Sequence, residues 1–172
     1  MDSTGKENNR ILVISKYALD SLPYQEPFVQ TSWKYCSLRS WLNDTFINNA
    51  FTSAQKSEIP TVTVIAEDNP DGTDAGVDTQ DKVFLLSISE ADKYFSSDSE
   101  RICQATSYAI AQGAKSHYDY KDYFSWWLRT PGSIGKQYAA YVYATGAIHD
   151  VGTSVLTIGK SVRPALWITL DS

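Results

Sequence analysis

Apolar residues change their spacing twice along the chain, and each change marks a new kind of element. RILVIS (10–15) is a compact β-branched run and predicts a strand. Residues 17–33 carry two prolines and few periodic apolar positions, which predicts a long surface connection. The spacing then becomes helical. Leu38, Trp41, Leu42, Thr45, Phe46 and Ala50 share one face, while Asn43, Asp44, Asn48 and Asn49 fall mostly on the other. Ser37 is placed to cap this helix. TSAQ (52–55) has the capping-box pattern and starts a short turn that Pro60 limits.

TVTVIA (61–66) predicts a short strand, and the Asp-, Gly- and Pro-bearing stretch 67–82 predicts a loop. VFLLS (83–87) reads as a strand or the lead into a helix. ISEADKYF (88–95) is helical, with Ser87 and Glu90 as a capping box. A third short helix runs from Thr106 to a stop at Gly113, and HYDYKDYF (117–124) reads as a tyrosine-rich connection.

The last third alternates with period two. SWWLRT, YAAYVYATG, AIHDVG, TSVLTIG and SVRPALWITL read as short strands with glycine-containing turns between them, the spacing of a meander. Strands at the start, helices in the middle and an antiparallel region at the end predict an α+β fold without βαβ alternation. Trp126 and Trp127 are adjacent in a strand, so they face opposite sides. Pairing with YAAYV and VRPALW places them at the sheet centre, with Trp167 also structural. Pro131-Gly132 then turns the chain outward into SIGKQ (133–137).

Composition narrows the class. At 172 residues the chain fits one domain, over 10–172, with a core that needs no staples. Five tryptophans, eleven tyrosines and six phenylalanines favour sheet over helical bundle. Net charge is −5 with no basic run, which argues against nucleic acid as a partner. No stretch approaches the roughly 18 apolar residues of a membrane span, so membrane insertion is not expected. The polar start, residues 1–9, reads as a tag or disordered lead-in rather than a signal peptide. The compartment stays open between the cytoplasm and a surface- or phage-associated protein. Cys36 and Cys103 read as separate buried or half-buried thiols.

Candidate chemistry is sparse. There is no G-x-S-x-G elbow, and His149-Asp150 are adjacent on a strand, so their side chains point apart. The acidic loop shadows an EF-hand, with Glu67 at position 1, Asn69 at 3, Asp71 at 5, Gly72 at 6 and Asp78 at 12. A strand precedes it where an EF-hand needs a helix, so the reading is a different calcium site, drawn from Asp71, Asp74, Asp78 and Asp81, against a solvated turn-rich loop. No other cofactor is expected. Arg129 and Arg163 lie inside apolar strands and need acceptors for five donors; Asp44 and Glu90 are candidate partners, and Arg39 beside Trp41 invites the same reading.

ILVISKYALD, CSLRSWLNDTFINNAF, DTQDKVFLLSISEADKYF, WWLRTPG, YAAYVYATG and SVRPALWITL together resemble the DUF6273 family of bacterial domains, found largely in gut Firmicutes. The resemblance runs from about Arg10 to Leu170. It implies kinship with the C-type-lectin-like group that includes formylglycine-generating-enzyme-like domains. That implies paired N- and C-terminal strands, two to three helices on a twisted sheet, and a ligand surface built from C-terminal strands and loops. Some members of that group are varied by diversity-generating retroelements. Formylglycine-generating relatives hold copper with paired late cysteines, whereas both cysteines here precede residue 104. Iron-dependent relatives need histidine clusters, and only His117 and His149 are present.

The leading expectation is therefore a non-enzymatic ligand-binding or display domain. In YAAYVYATG the small residues suit an inner face and the tyrosines an outer one, where they give contact area at low entropic cost. Contacts are expected from 133–138, 143–154 and 157–160, with Lys136, Gln137, Tyr138, Tyr143, His149, Asp150 and Thr153 as candidates for a protein, peptide or glycan ligand. The rivals are an enzyme of unlisted chemistry in the same fold and a structural module of a surface or phage-like assembly.

Overall fold

The computed structural model describes residues 6–7 and 9–170. The strands are, in chain order, β1 (Lys6–Glu7), β2 (Arg10–Ile14), β3 (Asp20–Ser21), β4 (Val62–Val64), β5 (Thr79–Asp81), β6 (Val83–Phe84), β7 (Ser116–His117), β8 (Tyr120–Phe124), β9 (Trp126–Gly132), β10 (Gly135–Val142), β11 (Ile148–Ser154), β12 (Ser161–Val162) and β13 (Ala165–Thr169). They form a four-stranded sheet in the order β1-β2-β13-β6 and a five-stranded sheet in the order β11-β10-β9-β12-β3. Two small hairpins, β4-β5 and β7-β8, complete the strands described. The pairings are antiparallel except β12 against β9, which is parallel. The fold is α+β, as the element order predicts. The terminal strands β2 and β13 pair along their length, Arg10 with Thr169 through Ile14 with Ala165.

The long helix α1 forms where predicted, but its buried face departs from the expected one: Thr45 and Ala50 are exposed and Ile47 is buried, because a π-helical middle takes the later residues off the 3.6-residue period. It has an α-helical start (Ser37–Trp41), a π-helical middle (Leu42–Phe46) and a final α-helical turn (Ile47–Ala50). Leu38, Leu42 and Ile47 are buried. The cap is one residue earlier than expected: the Cys36 sulfur accepts the Arg39 amide at 3.3 Å, and Ser37 is the first helical residue. Burial pushes the Cys36 thiol up to about 12, so it acts as a packed acceptor rather than a nucleophile. Helix α2 (Ser53–Ser57) and helix α3 (Ile88–Tyr94) both start with the capping boxes read from the sequence. Two single-turn helices, α4 (Asp98–Arg101) and α5 (Ser107–Ala111), follow.

Several expectations change, and Thr79–Asp81, inside the stretch 67–82 expected to be a loop, form strand β5. Residues 17–33 are not a surface connection throughout, because Ala18, Asp20, Ser21, Tyr24 and Gln25 are buried and β3 joins the five-stranded sheet. HYDYKDYF folds into the β7-β8 hairpin. TSVLTIG is the end of β11 followed by a turn, rather than a strand of its own. SVRPALWITL divides at Arg163-Pro164, giving β12 to one sheet and β13 to the other. Of the polar lead-in, residues 1–5 and 8 lie outside the described residues, while Lys6–Glu7 pair with β2.

Strand β9 is the spine. All seven of its residues are buried, and Trp126 and Trp127 have no exposed surface. Each indole N–H is used: Trp126 donates to the Arg101 carbonyl at 3.0 Å and Trp127 to the Leu22 carbonyl at 2.9 Å. Trp127 packs edge-on to Tyr24, whose hydroxyl donates to the Arg129 carbonyl at 2.8 Å. The two-sided tryptophan pair therefore packs two layers. Trp167 is also buried, with the Arg10 guanidinium 5.7 Å from its ring.

Candidate functional site

Period two along the end of β10 and the two residues after it buries Ala140, Val142 and Ala144 completely and leaves Tyr141 and Tyr143 half-buried on the other side. A register irregularity between Ala139 and Tyr141 accounts for Ala139, which is also buried. On the neighbouring β11, His149 pairs with Tyr141. Their rings stack at 4.9 Å, and the Tyr141 hydroxyl lies 3.3 Å from His149 Nδ1.

Tyr143 is the hub. The His149 ring centroid lies 5.2 Å from it, and the His117 ring lies 5.2 Å away in an edge-on arrangement. Tyr120 from the β7-β8 hairpin packs against both His117 and Tyr143. Both histidines of the chain thus meet one tyrosine, although 32 positions separate them in sequence. Beside this cluster is an open cleft of about 150 Å³, lined by His117, Tyr143, Thr157, Ile158 and Lys160 among others.

Lys160 sits with Nζ 3.7 Å from the Tyr141 ring centroid. Two effects oppose each other there. The ring face favours the ammonium, and burial disfavours it. Burial leads and lowers the amine to about 8. Burial also raises the phenol of Tyr141, with neighbouring Tyr143 adding to the shift. The arrangement offers flat aromatic faces, two imidazoles and an amine lowered to about 8.

Of the expected contact residues, Tyr143 and His149 are brought together; the others make their contacts elsewhere. Lys136 pairs with Asp74 at 2.9 Å and holds that carboxyl below its usual range. Gln137 and Tyr138 lie along β10, where the Gln137 carbonyl accepts the Val155 amide and Tyr138 pairs with Ser154. Asp150 accepts the Val151 amide at 2.8 Å, and its carbonyl receives Asn69 Nδ2 and the Ser133 amide. The Thr153 hydroxyl lies 3.1 Å from that of Thr157. Sequence reading passed over His117 and Tyr120 as site residues and reached Lys160 only within the segment 157–160. The aromatic density of HYDYKDYF was the available signal.

The acidic loop makes structural contacts of its own. Asn69, 2% exposed, donates from one amide to the carbonyls of Pro131 and Asp150 at 2.8 and 2.9 Å. Thr73 donates to the Ser133 carbonyl. The loop straps the turn after β9 to β11. Its carboxylates are dispersed: Asp78 accepts the Ala66 amide, Asp74 pairs with Lys136, and Asp71 is exposed. Asp81 is buried in β5 and takes the Trp33 indole, the Thr79 hydroxyl and the Arg39 guanidinium. Asp71, Asp74, Asp78 and Asp81 are therefore not assembled around one point. Among the described residues no group of three or more His, Cys, Asp or Glu could hold a metal ion.

The buried arginines are largely structural. Arg129 meets Glu90, as one of the sequence alternatives had it, and donates to the carbonyls of Leu85 and Ile65. Arg39 pairs with Asp81. Arg163 donates to the carbonyls of Ser15 at 2.8 Å and Arg101 at 3.4 Å. Cys36 and Cys103 are both free and buried. No helix among the described residues is long and apolar enough to cross a membrane.

Set against known families, residues 8–170 match a domain of unknown function, DUF6273. No curated protein and no solved structure matches the chain.

Proposed function

The chain belongs to the DUF6273 family, and from that premise we propose that it is a non-enzymatic ligand-binding or display domain with a C-type-lectin-like arrangement. Its recognition face is the Tyr141–Tyr143–His149 surface, extended by His117 and Tyr120. One observation carries this reading. Five aromatic or imidazole rings in a connected cluster are left half-buried or exposed: Tyr141 and His149 on strands of the sheet built on the fully buried β9, Tyr143 just past β10, and His117 and Tyr120 from the β7-β8 hairpin. Rigid rings on a rigid base provide contact area with little ordering cost on binding. The paired terminal strands and the long helix beside a partly irregular sheet support the lectin-like comparison. Variation of this surface by a diversity-generating retroelement belongs to the same proposal. Its test is a nearby reverse transcriptase and a near-copy of the gene's 3′ end. The ligand class is protein, peptide or glycan.

Screening the protein on glycan and peptide arrays, with Tyr143→Ala and His149→Ala beside it, tests the reading. Hits lost in both variants, with melting points within a few degrees of the parent, support it. Hits retained in both overturn it. A second reading, an enzyme, is favoured by one observation: the Lys160 amine, lowered to about 8, lines the same cleft as His117. Carbonyl probes trapped on Lys160 by borohydride would favour that reading.

A further inference from the structure

Arg39, Arg101 and Arg129 each meet a carboxylate: Asp81, Asp92 with Asp98, and Glu90 respectively. Arg163 does not. It is 6% exposed, and no carboxylate lies within ion-pair distance of it among the described residues. The Phe95 and Trp126 rings lie 5.2 and 5.0 Å from its guanidinium carbon. Two carbonyls, those of Ser15 and Arg101, accept from Nε and Nη1. A guanidinium carries five N–H donors, so donors remain without a protein acceptor. A buried charge without a counter-charge is costly unless something else supplies one.

Arg163 lines an open cleft of about 360 Å³ with Lys16, Tyr17, Gln104 and Tyr123 also on its walls. That size suits a small molecule. Two cationic residues, Arg163 and Lys16, and one carboxylate, Glu100, line the same cleft. Glu100 is already engaged, accepting the Ser96 amide at 2.8 Å. We propose that this cleft binds a small organic carboxylate, with the acid group on the free edge of Arg163 and the body of the molecule against Tyr17 and Tyr123. A planar two-oxygen anion fits the guanidinium fork, and a single negative charge balances the cleft's net charge. A doubly charged phosphate fits less well beside Glu100. This site is formed by different residues from the tyrosine–histidine face and does not depend on that face binding anything.

The test follows the Nε–H resonance of Arg163 by side-chain ¹H–¹⁵N NMR in the whole protein. Acetate, succinate and inorganic phosphate are added separately, with chloride at matched ionic strength as the control. The expected result is a saturable shift with acetate or succinate in the millimolar range, absent with chloride. Lys16→Gln, a rim change, should weaken it by about two- to fivefold; Arg163→Lys, which lacks the Nε–H and is followed with the parent through the backbone amides of the cleft residues Gln104 and Tyr123, should weaken it by at least about tenfold. If Arg163→Lys does not fold, Lys16→Gln and the parent titration decide. No saturation by about 20 mM overturns the site, since one good ion pair should register by then. Saturation by phosphate alone overturns the carboxylate assignment. A shift equal to that with chloride overturns both.

Discussion

The carboxylate of Glu90 meets the guanidinium of Arg129 where helix α3 crosses β9, with the two side chains 19% and 2% exposed. Glu90 has two duties. It closes the capping box on the Ser87 amide at 3.0 Å and neutralises a charge that the core cannot otherwise hold. Arg129 is held in turn by the carbonyls of Leu85 and Ile65, so the pair ties the helix, β9 and the segment after β4 together. Glu90→Ala leaves a buried guanidinium uncompensated and should cost about 3–5 kcal/mol. Glu90→Ala with Arg129→Met should recover much of that loss, since well-packed apolar groups can replace a buried pair. Urea titration of the parent, single and double variants checks both statements. A single variant within about 0.5 kcal/mol of the parent would show that the pair is dispensable.

Gly146 admits no side chain. Its φ is +89°, and a Cβ would lie 1.7 Å from the Asp98 carbonyl oxygen. Its own carbonyl receives Nε of Arg101 at 2.9 Å. The turn before β11 is thus locked to helix α4. Gly146→Ala should destabilise by at least about 2 kcal/mol, combining backbone strain with a clash that must move α4. Thermal unfolding measures it. A change below about 0.5 kcal/mol would mean the turn re-forms freely.

The helical middle and the inward tryptophans were legible because their causes are local. A 3.6-residue period places Leu38 and Leu42 on one face, and two capping boxes announce α2 and α3. The role of Trp126 and Trp127 followed from adjacency in a strand. What was not legible depends on distant partners. Nothing near Arg163-Pro164 shows that β12 and β13 join different sheets. The π-helical middle of α1 and the strap function of Asn69 are equally non-local. At the candidate site, Tyr143 and His149 could be found from alternation, but His117 and Tyr120 arrive on a hairpin whose docking no local pattern encodes.

Lys160 should make stability depend on pH in a defined direction. Its folded-state pKa, about 8, is below the ordinary 10.5 because burial disfavours the ammonium. Below pH 8 both folded and unfolded states hold the proton, and the burial cost is fully present. Between about 8 and 10.5 the folded state releases its proton first, so this residue's contribution to stability rises with pH. The gain is at most about 3 kcal/mol and is reduced by partial solvent access. The buried Cys36 thiol and the Tyr141 phenol, both raised, oppose it as pH climbs. The difference between parent and Lys160→Met therefore isolates it. The variant should be more stable at pH 7, with the gap narrowing by pH 9.5. A constant gap across that range would mean the amine keeps its ordinary pKa.

Asp81 supplies the clearest test of what the acidic segment does. Its side chain has no exposed surface, and its oxygens accept the Arg39 guanidinium at 2.7 Å, the Trp33 indole at 3.0 Å and the Thr79 hydroxyl at 2.6 Å. Such a carboxylate is already saturated with donors, and a cation would have to displace Arg39 to reach it. Asp81→Asn keeps the shape and loses the charge opposite Arg39. It should destabilise by about 2–4 kcal/mol, because the pair is largely desolvated on the aspartate side. Asp78→Asn retains an oxygen for the Ala66 amide and should cost less than about 1 kcal/mol. Calcium titrated to millimolar concentration should leave the parent's melting point flat, since an ion bound only by the folded state would raise it. A calcium-dependent rise that Asp81→Asn abolishes would show that Asp81 ligates the ion and that the Arg39 pairing yields to it.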